Sequence, residues 1–328
     1  MKAIYIEEYG APELLRVKNV DAPIVESPVD VIVGVKAAAL NRADILQRKG
    51  LYPAPSGYPE KIPGLEFAGV VQEVGEKVQS FKPGERVFGI TAGGAQAELL
   101  RTRADQLLRI PENLEFVSAA AVPEAFATAF DAMLLQGKLQ SGEFLLIHAV
   151  GSGVGLAALQ LGKAFGATVI GTSRTKSKLQ RCEVLGLDFG IDSSEDAKFS
   201  NKVCEFSNKI GANLTLDLVG AKFLEENIRS AAEGGRILFV GLVGGSSSEI
   251  NLATVLSKRL TIIGTVLRSR TNAEKAALTA KFSAEVLPLF AKNKIKPIVE
   301  RVFAFEEVAE AHKYLESNES FGKVVLAL

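Results

Sequence analysis

A run of small residues stands where a protein backbone can bind an anion. The segment AVGSGVG, residues 149–155, follows an apolar run that predicts a buried strand, and it opens a helix repeat. The first amides of a helix attract negative charge, and glycines let the backbone approach a pyrophosphate and the helix lie close to the sheet. A tight turn without a ligand is the alternative. We predict a dinucleotide site at Gly151, Ser152, Gly153, Val154 and Gly155.

The end of the next predicted strand indicates which dinucleotide binds. An NAD site commonly places Asp or Glu there to bind the ribose hydroxyls, but residues 144–182 contain no acidic side chain. The segment GTSRTKSK offers hydroxyl and cationic groups that suit a 2′-phosphate. A solvated basic helix start is the alternative, and Lys176 fits that description. We predict NADPH as the cofactor, bound by Thr172, Ser173, Arg174 and Lys178.

The sequence is poor in side chains that bind zinc. It contains two histidines, His148 and His312, and two cysteines, Cys182 and Cys204. We expect His148 to be a hydrogen-bonded interior group, His312 to lie on a helix surface, and the cysteines to be small buried groups. Zinc catalysis needs about three such ligands, so we predict no metal. Without a Lewis acid the substrate must accept reducing equivalents readily, as quinones and conjugated enones do.

The composition excludes several classes of protein. Of the 328 residues 47% are hydrophobic, and 38 basic residues balance 38 acidic ones. A nucleic acid is therefore an unlikely obligate partner. No apolar run is long enough to span a bilayer, and no presequence pattern is present at the N-terminus. Two distant cysteines indicate no disulfide framework, so we expect a cytoplasmic protein.

The predicted elements change character along the chain. Short strands separated by glycine and proline turns fill the first part, which is typical of an all-β domain. From Pro123 onwards, six apolar strands alternate with amphipathic helices, which predicts a doubly wound parallel sheet. The last strand, GKVVLAL, returns to complete the first domain. The fold class is therefore α/β, with a β-domain and a dinucleotide-binding sheet.

Several separated segments resemble one known family. AALNRADILQRKGLYPAP, PGLEFAGVVQEVG, IHAVGSGVGLAALQL, LRSRTN and EAHKYLESNESFGKVVLAL are similar to the zinc-free quinone oxidoreductases of the medium-chain dehydrogenase/reductase superfamily, and most similar to the stress-inducible NADPH quinone oxidoreductase branch. The resemblance covers essentially the whole chain. It implies a GroES-like β-barrel domain at 1–122 and 265–328 and a Rossmann domain at 123–264.

The same resemblance implies the substrate site. It places Asn41, Asp44 and Tyr52 around the substrate, with Asn41 and Leu65 standing where zinc-dependent relatives have a ligand cysteine and histidine. The Tyr52 phenol is our first choice as a hydrogen-bond donor to a quinone oxygen, since its ring also lines a flat pocket. Tyr52 as a loop aromatic is the alternative, and Asp44 and Glu66 are equally consistent with structural roles.

The resemblance also implies further cofactor contacts. It places Thr128 near the nicotinamide, and Gly241, Leu242 and Val243 over the nicotinamide ribose. It places Leu267 and Arg268 at the edge of the cofactor. Ser193 stands near the adenine, where some family members carry a tyrosine.

The resemblance implies an activity and an assembly. The activity is transfer of reducing equivalents from NADPH to a quinone, and the assembly is a homodimer through the edge strand near Leu260 to Leu267. Pairing would remove an exposed strand edge. Two alternatives stay open: an NADPH-dependent enone or 2-alkenal reductase, and an NADPH-binding structural or RNA-associated protein.

Overall fold

The chain divides into two structural units. The computed structural model describes residues 1–195 and 198–328. Unit 1 combines residues 1–127 with 267–328, and unit 2 contains residues 128–266. Both ends of the chain therefore belong to unit 1.

Strands and helices are numbered here in chain order. The strands are β1 (Lys2–Ile6), β2 (Leu15–Asn19), β3 (Asp30–Ala39), β4 (Glu66–Val74), β5 (Arg86–Ile90), β6 (Leu99–Arg103), β7 (Leu107–Arg109), β8 (Phe144–Ile147), β9 (Thr168–Ser173), β10 (Phe189–Asp192), β11 (Ala212–Asp217), β12 (Ala231–Phe239), β13 (Thr261–Gly264), β14 (Val299–Ala304) and β15 (Lys323–Ala327). The α-helices are α1 (Arg42–Arg48), α2 (Phe116–Ala120), α3 (Pro123–Phe130), α4 (Gly153–Ala164), α5 (Lys176–Glu183), α6 (Ser200–Phe206), α7 (Leu224–Ser230), α8 (Leu252–Ser257), α9 (Asn272–Glu285), α10 (Leu287–Ala291) and α11 (Val308–Glu316).

Unit 1 is built on a mostly antiparallel sheet. Its strand order is β14-β15-β3-β4-β5-β7, and β6 also pairs with β3. Strand β15 from the C-terminus runs antiparallel to β3, with Val325 opposite Ala39. Apolar side chains of β3, β4 and β5, such as Val33, Phe67 and Val87, form its core. The C-terminal segment thus supplies strands that complete the N-terminal sheet.

Unit 2 is built on a parallel sheet of six strands. The order is β10-β9-β8-β11-β12-β13, and all five pairings are parallel. Strand order reverses beside β8, which is the doubly wound arrangement of dinucleotide-binding sheets. Leu146, Ile170 and Ile191 are buried on neighbouring strands, as expected for strands with both faces covered. The predicted fold class, α/β with a parallel Rossmann-type sheet, is confirmed.

Strand β13 lies at one end of the unit 2 sheet. It pairs with β12 in register from Thr261 opposite Arg236 to Gly264 opposite Phe239. Ile262 on this strand is 39% exposed, and Leu256 on α8 is 80% exposed. Unit 2 therefore presents apolar side chains next to a strand edge in the single chain.

None of the helices within residues 1–195 and 198–328 has both the length and the apolar character needed to cross a bilayer.

Candidate active site

The start of helix α1 is fixed by the carboxylate of Asp44. Asp44 is fully buried, and its Oδ2 accepts a hydrogen bond from the backbone N–H of Asn41 at 2.7 Å. Its Oδ1 accepts one from the N–H of Gly64 at 2.9 Å. Gly64 has φ +109°, and a Cβ there would lie 2.6 Å from the backbone N of Gln96. Asp44 therefore joins the Asn41 turn to the loop that leads into β4.

A buried ammonium group lies beside Asn41. Lys323 on β15 donates from Nζ to the carbonyl of Leu40 at 2.8 Å and to Asn41 Oδ1 at 2.6 Å. It also forms an ion pair with Glu66 Oε1 at 2.6 Å, and Asn41 Nδ2 donates to the same oxygen at 2.9 Å. The other carboxylate oxygen, Glu66 Oε2, accepts from the backbone N–H of Glu124 at 2.8 Å. All three lysine protons thus have acceptors inside the protein.

This arrangement does not fit a zinc ion. Leu65 has no donor atom, and the amide oxygen of Asn41 already binds the Lys323 ammonium. Zinc prefers thiolate and imidazole ligands, and neither group is part of this cluster. Within residues 1–195 and 198–328, no set of three or more His, Cys, Asp or Glu is placed to hold a metal ion.

Tyr52 has a phenol group that is available to a ligand. Its side chain is half-buried, and its hydroxyl makes no hydrogen bond to any residue in the described ranges. Burial raises the pKa of the Tyr52 phenol, so the group is protonated and can donate. The guanidinium of Arg268 lies over its ring, with Cζ 4.9 Å from the ring centroid. Tyr52 is thus positioned by its ring and backbone while its hydroxyl is unoccupied.

Arg268 holds the Tyr52 segment in place. It is 5% exposed and donates from Nη1 to the carbonyl of Tyr52 at 2.9 Å. It also donates to the carbonyl of Ala92 at 2.8 Å and to Gln47 Oε1 at 2.6 Å. Lys275 donates in turn to the carbonyl of Arg268 at 3.0 Å. Arg268 therefore joins helix α1, the Tyr52 loop and the end of β5 in unit 1, and its predicted contact with the cofactor stays a prediction.

Two carboxyl groups near this network hold protons more tightly than usual. Burial raises the pKa of Asp44 to about 6, although the amides of Asn41 and Gly64 act in the opposite direction. Burial, followed by the neighbouring Glu66 carboxylate, raises the pKa of Glu124 to about 8. Groups with displaced pKa values are common in active sites.

The glycine turn in unit 2 begins helix α4 as predicted for an anion site. Ser152 is the residue before the helix, and its Oγ accepts from the N–H of Gly155 at 3.1 Å. A Cβ on Gly155 would lie 2.5 Å from the carbonyl oxygen of Ala149 and 2.6 Å from that of Val150. Only glycine allows this approach, and the first amides of the helix have no partner within it. The turn therefore has the geometry expected of an anion site, and its contact with a cofactor stays a prediction.

The four residues predicted to meet a 2′-phosphate have different surroundings. Thr172 is 1% exposed, and Ser173 accepts on Oγ from the N–H of Thr175 at 3.1 Å. Arg174 is exposed and has no hydrogen bond or ion pair to other residues in the described parts of the chain. Lys178 is half-buried. Arg174 is therefore the cation most open to a ligand at the end of β9.

A buried polar network connects β9 to β11. His148 Nε2 lies 2.6 Å from Asn227 Oδ1, and Asn227 Nδ2 donates to Asp217 Oδ2 at 2.8 Å. Because the Asn227 oxygen must accept, Nε2 carries the proton and Nδ1 is the acceptor. Thr172 therefore donates its hydroxyl proton to Nδ1, at 2.9 Å. The expectation that His148 is a satisfied interior group is confirmed, and burial lowers its pKa.

Replacing Thr172 by valine tests this network. We expect a loss of about 1–3 kcal/mol in the free energy of unfolding, because the buried Nδ1 of His148 loses its donor without any change in side-chain shape. Urea unfolding would measure it, with Thr168→Val on the same strand as the control. Equal stability of the two variants would contradict the hydrogen bond between Thr172 and His148.

The remaining predicted cofactor residues lie mostly in unit 2. Ser193 is buried at the end of β10, and its N–H donates to the carbonyl of Ser173 at 2.9 Å. Thr128 and Leu267 are buried, at 9% and 6% exposure. Three consecutive residues follow β12, where Gly241 is half-buried and the apolar side chains of Leu242 and Val243 are 54% and 67% exposed. Their roles toward the cofactor stay predictions.

One expectation from the sequence is wrong. His312 is fully buried rather than on a helix surface. On α11 it lies four residues after the buried Val308 and three before the half-buried Leu315. Burial, followed by the charge of Arg48, lowers the pKa of His312 to about 3, so the ring is neutral. The three- and four-residue spacing from the apolar residues was the signal that indicates this burial.

Sequence reasoning missed several residues of the cluster in unit 1. The sequence pattern indicates Lys323 only as part of a strand and Glu124 only as part of a helix start. It gives no sign that Gln47 or Lys275 belongs to the site. Their partners are far away in sequence; Asn41 and Lys323 are 282 positions apart. A proline followed by a carboxylate at a helix start was the only local signal, and it is common in ordinary helices.

The comparisons with known proteins agree with this architecture. A family model described as "Alcohol dehydrogenase GroES-like domain" matches residues 27–112, and one described as "Zinc-binding dehydrogenase" matches residues 153–283. A GroES-like β-domain followed by a doubly wound nucleotide-binding sheet defines the medium-chain dehydrogenase/reductase class of oxidoreductases.

Individual relatives narrow the class. Quinone oxidoreductase from Sus scrofa is 30% identical over 100% of this chain and 98% of its own length. The Escherichia coli quinone oxidoreductase complexed with NADPH is 27% identical, covers 100% of both chains and has a TM-score of 0.89. An NAD-dependent alcohol dehydrogenase is 31% identical, also covers 100% of both chains and has a TM-score of 0.87. The chain belongs to the quinone oxidoreductase family of this superfamily.

Proposed function

We propose that the protein is a zinc-independent NADPH:quinone oxidoreductase. The observation that carries the proposal is the Lys323–Asn41–Glu66 cluster. In it the amide oxygen of Asn41, which the resemblance places at a zinc-ligand position, already binds the Lys323 ammonium. A substrate at this place must therefore accept reducing equivalents without a Lewis acid. Quinones do so, and the similar quinone oxidoreductases support the assignment.

The substrate-binding role is proposed for Tyr52. The free phenol would donate a hydrogen bond to one quinone oxygen, and the ring would pack against the flat substrate. Asn41 and Asp44 would position this region through the hydrogen bonds at the start of α1. A positioned donor stabilises the negative charge that develops on the oxygen during reduction.

The cofactor role is proposed for the turn at residues 151–155 and the end of β9. The residues fit a dinucleotide, because the approach at Gly155 is closed to any side chain and Arg174 is unpaired within the described ranges. When bound, NADPH supplies a hydride from its nicotinamide. The chain's part is to hold the pyrophosphate at the helix start and the 2′-phosphate beside Arg174.

The function is tested by measuring oxidation of NADPH and NADH with an ortho-quinone, a para-quinone and a 2-alkenal, all with a zinc chelator present. We expect NADPH-dependent quinone reduction that survives chelation and falls in Tyr52→Phe. Alkenal turnover without quinone turnover would instead support the reductase alternative. Cofactor binding without any turnover would support a structural or RNA-associated role, which a salt-dependent RNA titration would then examine.

Replacing Arg174 by serine tests the choice of NADPH over NADH. A charge-assisted hydrogen bond contributes about 1.5–3 kcal/mol, so we expect NADPH to bind about ten to a hundred times more weakly and NADH to bind unchanged. Fluorescence titration measures both dissociation constants. Lys176→Ser, two residues further along the exposed start of α5, is the matched control. An equal effect of both substitutions on NADPH would contradict a specific phosphate contact.

We also propose a cytoplasmic homodimer. Two exposed apolar side chains, Ile262 on β13 and Leu256 on α8, lie at or beside the strand edge that a second copy would cover. The two cysteines are free thiols, Cys182 buried and Cys204 half-buried, which is consistent with a reducing compartment. Analytical ultracentrifugation of wild-type protein and Ile262→Asp tests the interface, and equal sedimentation of the two would contradict it.

A further inference from the structure

Reduction of a quinone by hydride transfer requires one additional proton to give the neutral hydroquinone. The hydride brings two electrons and one proton nucleus, so the quinone becomes the monoanion of a hydroquinone. A second proton must then bond to the remaining oxygen to give the neutral product. Unit 1 contains one carboxyl group whose surroundings suit this task, and the inference rests on the proposed function.

Glu124 stands next to the Lys323–Asn41–Glu66 cluster. It is the second residue of α3, and its backbone N–H is held by Glu66 Oε2 at 2.8 Å. Glu66 is itself fixed by Lys323 at 2.6 Å and by Asn41 at 2.9 Å. The backbone of Glu124 is thus tied to the same network that surrounds Asn41.

The carboxyl of Glu124 differs from every other acidic group in this network. Both oxygens of Asp44 accept backbone amides, and both oxygens of Glu66 have donors. The side-chain oxygens of Glu124 accept no hydrogen bond from any residue in the described ranges, although the side chain is half-buried. A half-buried carboxyl without a protein donor has lost part of its hydration, which favours the neutral acid or a ligand that donates to it.

We propose that Glu124 is the acid that protonates the reduced quinone. In this step the O–H bond of the Glu124 carboxyl breaks, a new O–H bond forms on the hydroquinone oxyanion, and Glu124 is left as a carboxylate. Solvent then returns the proton. One NADPH, one quinone and one proton are consumed, and one NADP⁺ and one hydroquinone are produced.

The charges around Glu124 agree with a proton held at neutral pH. Burial of the carboxyl and the Glu66 carboxylate raise its pKa to about 8, and Asp44 acts in the same direction. The cationic neighbours act in the opposite direction but do not cancel this effect. The groups that act on Glu124, or on which it acts, are Glu66, Asp44, Lys323, Arg268, Lys275 and Tyr52.

The first test needs neither cofactor nor substrate. A carboxyl with a raised pKa in the folded protein contributes stability at low pH that is lost as pH rises toward the folded-state pKa. We compare the unfolding equilibrium constants of wild type and Glu124→Gln in urea from pH 5.5 to 9.5. The wild-type unfolding constant divided by that of Glu124→Gln is expected to rise about tenfold per pH unit up to about pH 8 and then to level off.

Asp44 is present in both proteins, so the part of its titration that does not depend on Glu124 cancels in this ratio. Glu112→Gln, an exposed carboxylate in the same unit, is the matched control. A ratio for Glu124→Gln that is constant with pH, as for a solvated carboxylate, would overturn the proposal.

The second test uses the reaction. General acids contribute about 10²–10⁴-fold, so Glu124→Gln is expected to lower kcat for quinone reduction at least tenfold below pH 8. The wild-type kcat should fall above pH 8, and this fall should disappear in Glu124→Gln and persist in Glu124→Asp. An unchanged kcat and pH profile in Glu124→Gln would overturn the role of Glu124 as the acid without affecting the proposed function. Absence of quinone turnover in the wild type would refute the proposed function and the assignment together.

Discussion

Replacing Lys323 by methionine is expected to destabilise the protein by about 3–5 kcal/mol, the usual cost of breaking a buried ion pair. Lys323 is 5% exposed and Glu66 is 0% exposed, so the carboxylate would be left inside the protein without a counterion. Methionine fills nearly the same volume, so the loss reports the charge and hydrogen bonds rather than a cavity. Urea unfolding would measure the difference.

The control and the compensating variant make this prediction specific. Lys313→Met removes an ammonium that pairs with Glu13 and Glu310 on the surface, and such pairs contribute about 0–1 kcal/mol. Combining Lys323→Met with Glu66→Gln should recover part of the lost stability, since the stranded charge is then removed. A single Lys323→Met variant as stable as the Lys313→Met control would contradict the buried pair.

The cluster around Lys323 leaves Asn41 without a free oxygen for a metal ion. In a metal-dependent enzyme a cation polarises the substrate oxygen. Here the ammonium of Lys323 is fully used by Leu40, Asn41 and Glu66, so its charge organises the protein rather than the ligand. Near this cluster, the Tyr52 hydroxyl and the Glu124 carboxyl have no hydrogen-bond partner among the described residues. Under the proposed function, one binds the quinone oxygen and the other supplies the proton.

The fold was largely predictable because its signals are local. The six strands predicted for the second part, from EFLLIHA to RLTIIGTVL, each overlap one strand of the parallel sheet. A run of apolar residues between turn signals leaves little choice of structure. The glycine turn was equally local, since Gly155 follows the last residue of β8, Ile147, by only eight positions. The two structural units meet at 127/128 and 266/267. The domain boundaries at 122/123 and 264/265 stay a prediction.

Only the site residues that lie in recognisable sequence motifs were predictable from the sequence. Tyr52 and Asn41 were selected from a resemblance, whereas Lys323 and Glu124 became visible only when the sheet brought β15, β4 and α3 together. Burial determines what such groups do, and burial of a charged residue cannot be read from its neighbours in sequence. His312 shows the converse, because a polar residue at an apolar helical spacing lies inside.

Replacing Gly155 by alanine is expected to weaken NADPH binding at least tenfold and to lower the free energy of unfolding by about 2–3 kcal/mol, near the upper end for overpacking. The three atoms nearest to the added Cβ all belong to the backbone of Ala149 and Val150, at 2.5–2.8 Å, so no side chain can rotate away. Helix α4 must instead move from the sheet, and its first amides move with it.

A second glycine on the same helix provides the matched comparison for that substitution. The Cβ of Gly162→Ala would meet Leu145 Cδ2 at 2.7 Å and Val169 Cγ2 at 3.2 Å, which are the ends of side chains that can shift. We therefore expect a smaller loss of stability and unchanged NADPH binding in this variant, measured by urea unfolding and fluorescence titration. If Gly155→Ala loses stability but binds NADPH normally, the glycine serves the packing of α4 against the strand end and the turn is not the phosphate site. If both variants behave alike, the close approach of α4 to the strand end has no special role. A loss of binding confined to Gly155→Ala would connect the backbone geometry of this one turn to the cofactor that the proposed reaction requires.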